Sequence, residues 1–196
     1  MAIKQRFDNN LFDYLESIQE NIKYILSFII ITNFIIIFLI KFAIRTREKF
    51  KNFFHTIEST KQEVLLIIAH PDDEIMFFYP TIINLLKNKI KIRILCLCNG
   101  NFDGLGKIRE GEFSQVMKML RIDNYKIIND EKLNDGIKVK WDENHIAARI
   151  KQYLSEEEGD SNGKIINFNR IGIIITFDEN GVTKHPNHSS CCHGLL

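Results

Sequence analysis

Residues 24–40 read YILSFIIITNFIIIFLI without a charge, and Phe42, Ala43 and Ile44 prolong the run past Lys41. That approaches the ~20 apolar residues a helix needs to cross a bilayer core, and Lys41 is long enough to reach its edge. A chain of 196 residues has room for one ordinary domain, which could hardly wrap such a helix in protein. The run therefore predicts a membrane-spanning helix over 24–44. A cleaved signal peptide is the alternative. The long charged leader and the lack of a small-x-small site after the run speak against it.

Charge sets the expected orientation. Lys4, Arg6 and Lys23 precede the run, whereas Lys41, Arg45, Arg47, Lys49 and Lys51 crowd its far end. The positive-inside rule places everything after residue 41 in the cytosol and residues 1–23 on the lumenal side. Residues 45–62, charged with scattered Phe and Ile, read as a juxtamembrane helix or linker. A net charge of +1, with no basic stripe interleaved with aromatics, excludes nucleic acid as a partner. Cys96, Cys98, Cys191 and Cys192 form no C-x-x-C pair, which fits a reducing compartment, and Cys96 and Cys98 read as small buried hydrophobes.

From residue 63 the pattern changes. VLLIIA (64–69), KIRILCLC (91–98) and IGIIITF (171–177) are short apolar runs of the kind buried on both faces of a parallel sheet. A weaker strand is expected at 125–129. Helices are expected over 74–86, 107–120 and 141–158, and 159–163 reads as a Gly/Ser-rich acidic loop. Strands alternating with helices predict an α/β fold: a doubly wound, mostly parallel, Rossmann-like sheet. Ligand sites in such sheets lie beyond the carboxyl ends of the strands.

Two strand-end segments carry metal-type side chains, HPDDE at 70–74 and HPNH at 185–188. His70, Asp72, Asp73, His185 and His188 exceed what one zinc ion needs, which leaves groups free for acid–base work. Each segment has a plainer reading. Asp72, Asp73 and Glu74 would serve equally to cap a helix N terminus, and HPNH would make an ordinary surface turn. Two such segments, each following a buried strand, favour the metal.

AHPDDEIMFFYPTI (69–82), NGNFDGLGKIREGEF (99–113) and ITFDENGVTKHPNH (175–188) resemble, in the correct order, the signature blocks of the N-acetylglucosaminyl-phosphatidylinositol de-N-acetylase family. The resemblance runs over about 64–188. It implies a zinc enzyme that removes acetate from the glycolipid headgroup in the second step of glycosylphosphatidylinositol-anchor synthesis, at the endoplasmic reticulum membrane. It further implies zinc on His70, Asp73 and His188, Asp72 as general base, and His185, protonated, stabilising the oxyanion. Asn101 and Arg109 are expected to face substrate, with Arg109 on the lipid phosphate or, alternatively, paired with Glu112. Asp178 is expected to orient a ligand histidine or simply to start a turn. Asp135 is expected to be an exposed turn residue rather than a sugar contact.

The layout expected is thus a lumenal segment 1–23, a transmembrane helix 24–44, a linker 45–62 and a catalytic domain 63–196. Members of that family continue past HPNH with a helix, but SSCCHGLL (189–196) does not look like a helix start. The domain is therefore expected to be C-terminally incomplete, with apolar surface exposed along one sheet edge. A soluble N-acetylglucosaminyl conjugate as substrate, and an inactive membrane-bound binding protein, are the competing readings.

Overall fold

In the computed structural model, residues 2–157 and 170–196 are described. The expected loop 159–163 and the last residue of the helix expected over 141–158 lie outside them. The chain divides into two compact units, residues 1–52 and 53–196.

The first unit is helical throughout, formed by most of α1 (Ala2–Thr60). From Asn21 the helix is long and apolar enough to cross a membrane, with a mean hydropathy of 2.5 over its most apolar stretch. Its polar side chains there turn back on the backbone. Thr32 Oγ1 donates to the Phe28 carbonyl at 3.0 Å and Asn33 Nδ2 to the Ile29 carbonyl at 2.8 Å. Internal satisfaction of this kind lowers the cost of a polar group in an apolar medium. The segment read as a linker continues the same helix to Thr60.

In the second unit the described strands form one parallel sheet of four, in the order β3-β2-β1-β4. The strands are β1 (Glu63–Ile68), β2 (Ile92–Cys96), β3 (Tyr125–Ile127) and β4 (Ile171–Ile175). Every residue of β1 and β2 is buried, as expected for unbroken apolar runs inside a parallel sheet. Among the described strands β4 is an edge, and Ile174 on it is exposed. The chain steps outward from β1 to β2 to β3 and then returns to the far side of β1. The topological switch point therefore lies between β1 and β4.

The core gathers Ile82 and Leu85 of α3 (Tyr79–Lys87), Phe113 and Met117 of α4 (Gly106–Leu120), and Ile146, Ile150 and Tyr153 of α5 (Glu143–Glu157). Ile57, from the last turns of α1, joins them. At the amino ends of the strands, buried Glu63 bridges Arg93 and Arg170.

Two expectations are corrected. The helix expected over 74–86 is two helices, α2 (Asp73–Met76) and α3, with a break at Phe77 and Phe78. Pro80 sits in the first turn of α3; inside a continuous helix its ring would clash with the Met76 carbonyl and it would offer no N–H. Residues after HPNH do form a helix, α7 (Pro186–His193), preceded by the short α6 (Gly181–Lys184). His185 caps α7, with Pro186 in its first turn and Cys191 fully buried against the core. Gly194 ends the helix tightly enough that a Cβ there would lie 2.5 Å from Ile146.

Candidate metal centre

The site is built at the switch point. Strand β1 delivers 69–73, and the segment after β4 delivers 177–188. Asp73 is placed by the backbone it follows, since its Oδ2 accepts from the N–H groups of Ala69 (3.0 Å) and His70 (2.8 Å). Its Oδ1 faces His188 Nε2 at 3.3 Å. His188 stacks on Phe177 with ring centroids 4.1 Å apart and planes 1° from parallel, and Phe77 closes edge-on against both rings.

The hydrogen-bond pattern assigns the protons on both rings. His188 Nδ1–H donates to the Gly181 carbonyl at 3.2 Å, so the Nε2 lone pair points at Asp73. Asn187 settles His70. Its Nδ2 donates to the Val139 carbonyl (2.7 Å) and its Oδ1 accepts from Gly136 N–H (3.2 Å), which leaves that oxygen facing His70 Nε2 at 3.0 Å. Asp135 Oδ1 is the second acceptor there, at 3.1 Å. His70 therefore carries its proton on Nε2, and Nδ1, 3.7 Å from Asp73 Oδ2, presents a lone pair.

Donor atoms of buried His70, Asp73 and His188 thus converge within 4.8 Å of one another. Lone pairs facing each other in a buried site are costly unless a positive charge sits between them. An imidazole–carboxylate–imidazole set is what zinc and similar divalent ions take, with a position left open for reactants. Orientation of ligand histidines by a carbonyl (Gly181) and by a carboxylate with an amide (Asp135, Asn187) is the usual supporting shell of such a site. His70, Asp135 and His185 form a second, less buried donor group sharing His70.

Asp72 stands beside the set, about half exposed, at φ 121°, a left-handed conformation that costs a non-glycine residue energy. Contacts hold it there. Its N–H donates to Glu74 Oε2 at 3.0 Å, and its Oδ2 accepts from Arg109 Nη2 at 3.0 Å. Burial raises the Asp72 carboxyl above the usual range, with Arg109 pulling against it and Asp73 adding to it. Burial favours the neutral form of His70, but the Asp135 and Asp73 carboxylates outweigh it and raise the ring.

The structure brings His70, Asp72, Asp73, His185 and His188 together and redistributes the other expected residues. Arg109 is not paired with Glu112. Besides Asp72 it donates to the carbonyls of Pro71 (2.7 Å) and Gly100 (2.9 Å) and lies 3.5 Å from Asp135, clamping the segments after β1, β2 and β3. Both Nη atoms of Arg109, expected on a lipid phosphate, are engaged by these contacts. Asn101 accepts from Gly106 N–H at 2.9 Å and orders the start of α4. The Asp178 carboxylate bonds to the turn rather than to a candidate ligand histidine; its Oδ1 accepts from Asn180 and Val182 N–H, both at 3.1 Å, shaping the turn that aims the Gly181 carbonyl.

Asp135 is no exposed turn residue, since His70 and Arg109 enclose it and hold its carboxyl low against the opposing effect of burial. His185, expected to be protonated, stands in surroundings that work against the charge. Burial, then the neighbouring His70 and His188, hold its ring below the usual histidine range, and its Nδ1 accepts from Asn187 N–H. The neutral ring with its proton on Nε2 is the form this environment favours. Asn187 and Gly181 were missed from the sequence. HPNH itself was the available signal, because its Asn lies between two candidate histidines.

A parallel α/β domain with a buried His–Asp–His donor set at its switch point falls in the class of domains built around a candidate catalytic metal. Within that class the chain belongs to the GlcNAc-PI de-N-acetylase (PIG-L) family, whose model matches residues 65–196. It is 39% identical over 138 residues to a probable N-acetylglucosaminyl-phosphatidylinositol de-N-acetylase of Schizosaccharomyces pombe, covering 69% of this chain and 51% of that protein. The Bos taurus N-acetylglucosaminyl-phosphatidylinositol de-N-acetylase is 37% identical over 126 residues, covering 63% and 45%. The chain spans about half the length of the curated relatives it matches. Among solved structures, N,N'-diacetylchitobiose deacetylase from Pyrococcus horikoshii shares the fold, with a TM-score of 0.52 at 17% identity over 68% of this chain and 48% of that one.

Proposed function

We propose that this protein hydrolyses the acetamide of N-acetylglucosaminyl-phosphatidylinositol to the free amine and acetate, using zinc held by His70, Asp73 and His188. The observation that carries this reading is the convergence of three buried lone-pair donors with a carboxylate, Asp72, whose proton affinity is raised. Names of the relatives supply the substrate. The remainder of the reading is a single-pass protein of the endoplasmic reticulum membrane with its catalytic unit in the cytosol, acting at the second step of glycosylphosphatidylinositol synthesis. The helix from Asn21 and the basic cluster from Lys41 to Lys51 support it.

Zinc in that position would supply a Lewis acid that polarises the acetamide carbonyl and lowers the pKa of water. The chain's own groups do the rest. Asp72, anchored through Oδ2 by Arg109, takes a proton from the attacking water as the C–O bond forms. His185 Nε2–H donates to the carbonyl oxygen as it gains negative charge, while Nδ1 stays tied to the Asn187 N–H. Asp72, now a carboxylic acid, returns the proton to the amine nitrogen when the C–N bond breaks. Phe77 and Phe177 wall His188 from solvent on one side, which strengthens these interactions.

The test is release of labelled acetate from N-acetylglucosaminyl-phosphatidylinositol by the full chain in detergent, wild type against Asp72→Asn, with zinc content measured in both. Wild type should release acetate, and Asp72→Asn should bind comparable zinc yet lose about 10²–10⁴ in rate. Folded wild type that holds zinc and releases nothing would sink the assignment.

A further inference from the structure

Six exposed apolar side chains of the catalytic unit lie on the segments that build the site. Met76 lies three residues beyond Asp73, Phe102 follows Asn101, and Leu105 and Ile108 precede Arg109. Ile137 follows Asp135 by two, and Val182 precedes His185 by three. Exposure is 64% for Phe102, 60% for Ile108 and 72% for Ile137, high for large apolar groups. All belong to segments leaving the carboxyl ends of the four strands. Single exposed apolar residues need no explanation, but a set ringing one site does.

These side chains stand on separate segments, the ones that also carry the polar groups of the site. Such an arrangement matches a fluid acyl phase, into which each can dip independently, better than a rigid protein face, which rewards a contiguous surface. Acidic and basic groups alternate along the same segments, with Asp103 beside Lys107, Lys138 and Lys140 beside Asp142, and Glu179 beside Lys184. The attraction is therefore apolar, not a cationic one for anionic lipid. The same chain carries a helix long enough to cross a bilayer, so a lipid surface is present at high effective concentration.

We propose that Met76, Phe102, Leu105, Ile108, Ile137 and Val182 form an apolar rim that inserts into the headgroup–acyl boundary of a lipid bilayer and seats the mouth of the site on the membrane. The inference rests on the glycolipid reading above and deepens it. A reactive amide in a lipid headgroup lies within a few ångströms of the surface, so a site opening onto that surface reaches it without extracting the lipid. Because the contact is apolar, it persists at high salt, unlike a polybasic one.

Trp141 is the chain's one tryptophan and is buried, which makes it a quiet background. The full chain is reconstituted in phosphatidylcholine vesicles as Phe102→Trp, Ile137→Trp and Met119→Trp, with acyl chains brominated near the headgroup as quencher. Met119 is more exposed than either but lies near the C-terminal end of α4, toward the amino ends of the strands. Added emission from Phe102→Trp and Ile137→Trp should be lost to the brominated lipid, at low and high salt alike, and that from Met119→Trp should survive. Unquenched rim tryptophans, or equal quenching at Met119, would overturn the proposal. So would rim tryptophans shielded from aqueous iodide yet untouched by bromolipid, which would mark an interface between copies of the chain.

A combined Phe102→Ser/Leu105→Ser/Ile137→Ser variant provides the second arm. It should hydrolyse a short-chain monomeric substrate at the wild-type rate and lose about tenfold or more on the vesicle-embedded substrate. Equal rates on both substrates would refute the rim. Wild type inactive on both would remove the glycolipid reading, and the quenching result would still decide whether the rim meets lipid.

Discussion

Asn187→Leu and Asn187→Asp make a pair of nearly isosteric changes with opposite expected outcomes. The native amide is fully buried and makes three contacts: with His70 Nε2, Gly136 N–H and the Val139 carbonyl. Leucine removes all three. Val139 is an exposed residue whose carbonyl can turn to water, and His70 keeps Asp135, so the main orphan is the N–H of buried Gly136. An unsatisfied buried donor costs about 1–3 kcal/mol, which is the expected loss of stability. The loss at the metal follows from different physics. With one acceptor gone from Nε2, the His70 ring and its tautomer are held less firmly, and zinc affinity should fall about 10–100-fold. Aspartate keeps an acceptor for both His70 and Gly136 and sets its second oxygen against the Val139 carbonyl, which must turn away to water. Asn187→Asp should therefore bind zinc at least as tightly as wild type. Both quantities are accessible on the full chain in detergent, affinity by competition with a chromogenic chelator and stability by denaturant unfolding. If leucine binds zinc like wild type, or aspartate loses as much as leucine, Asn187 does not position His70 and the tautomer argument fails.

His188→Ala should lose zinc, whereas His185→Ala should retain it, lose about 10²–10³ in turnover and weaken α7 by removal of its cap; equal zinc content in the two would reverse the roles. Gly100→Ala should displace Arg109, because a Cβ there would lie 2.1 Å from Nη1 and Gly100 sits at φ +66°. Its activity should fall toward that of Arg109→Ala, checked by the same acetate assay. Glu63 gives the acid limb of stability. Burial raises its carboxyl, but the Arg93 and Arg170 guanidiniums outweigh that and hold it below the ordinary 4.5. Its stabilisation is thus present above the unfolded value and lost as pH falls through the lower folded one. Unfolding of Glu63→Gln should vary less with pH than wild type on the acid side of 4.5, and identical slopes would refute this.

Much of the architecture was legible because short-range physics writes it into composition. Burial on both faces demands unbroken apolar strands, so 64–69 and 91–98 announced themselves. A bilayer demands a run of uncharged residues, so the helix beyond Asn21 did too. Edge strand β3 was weaker in the sequence for the same reason, being largely exposed and only three residues long. The break before Pro80 was overlooked in the single helix expected over 74–86, and the helical end at 186–193 was obscured by Ser and Cys, residues that favour helix only weakly and are held here by burial of Cys191.

The sequence alone determined the kinds of group available and their grouping in short segments: three histidines and paired carboxylates at strand ends, in the blocks that mark the family. Which atom of each group does what was decided by tertiary structure. His70 and Asn187 lie 117 residues apart, yet their contact assigns the imidazole proton. Arg109 and Asp72 are 37 residues apart, and that pairing anchors the Asp72 carboxylate. Lone-pair direction, tautomer and proton affinity depend on partners brought together only when the sheet assembles, because electrostatic and hydrogen-bond energies follow distance in space and not position along the chain.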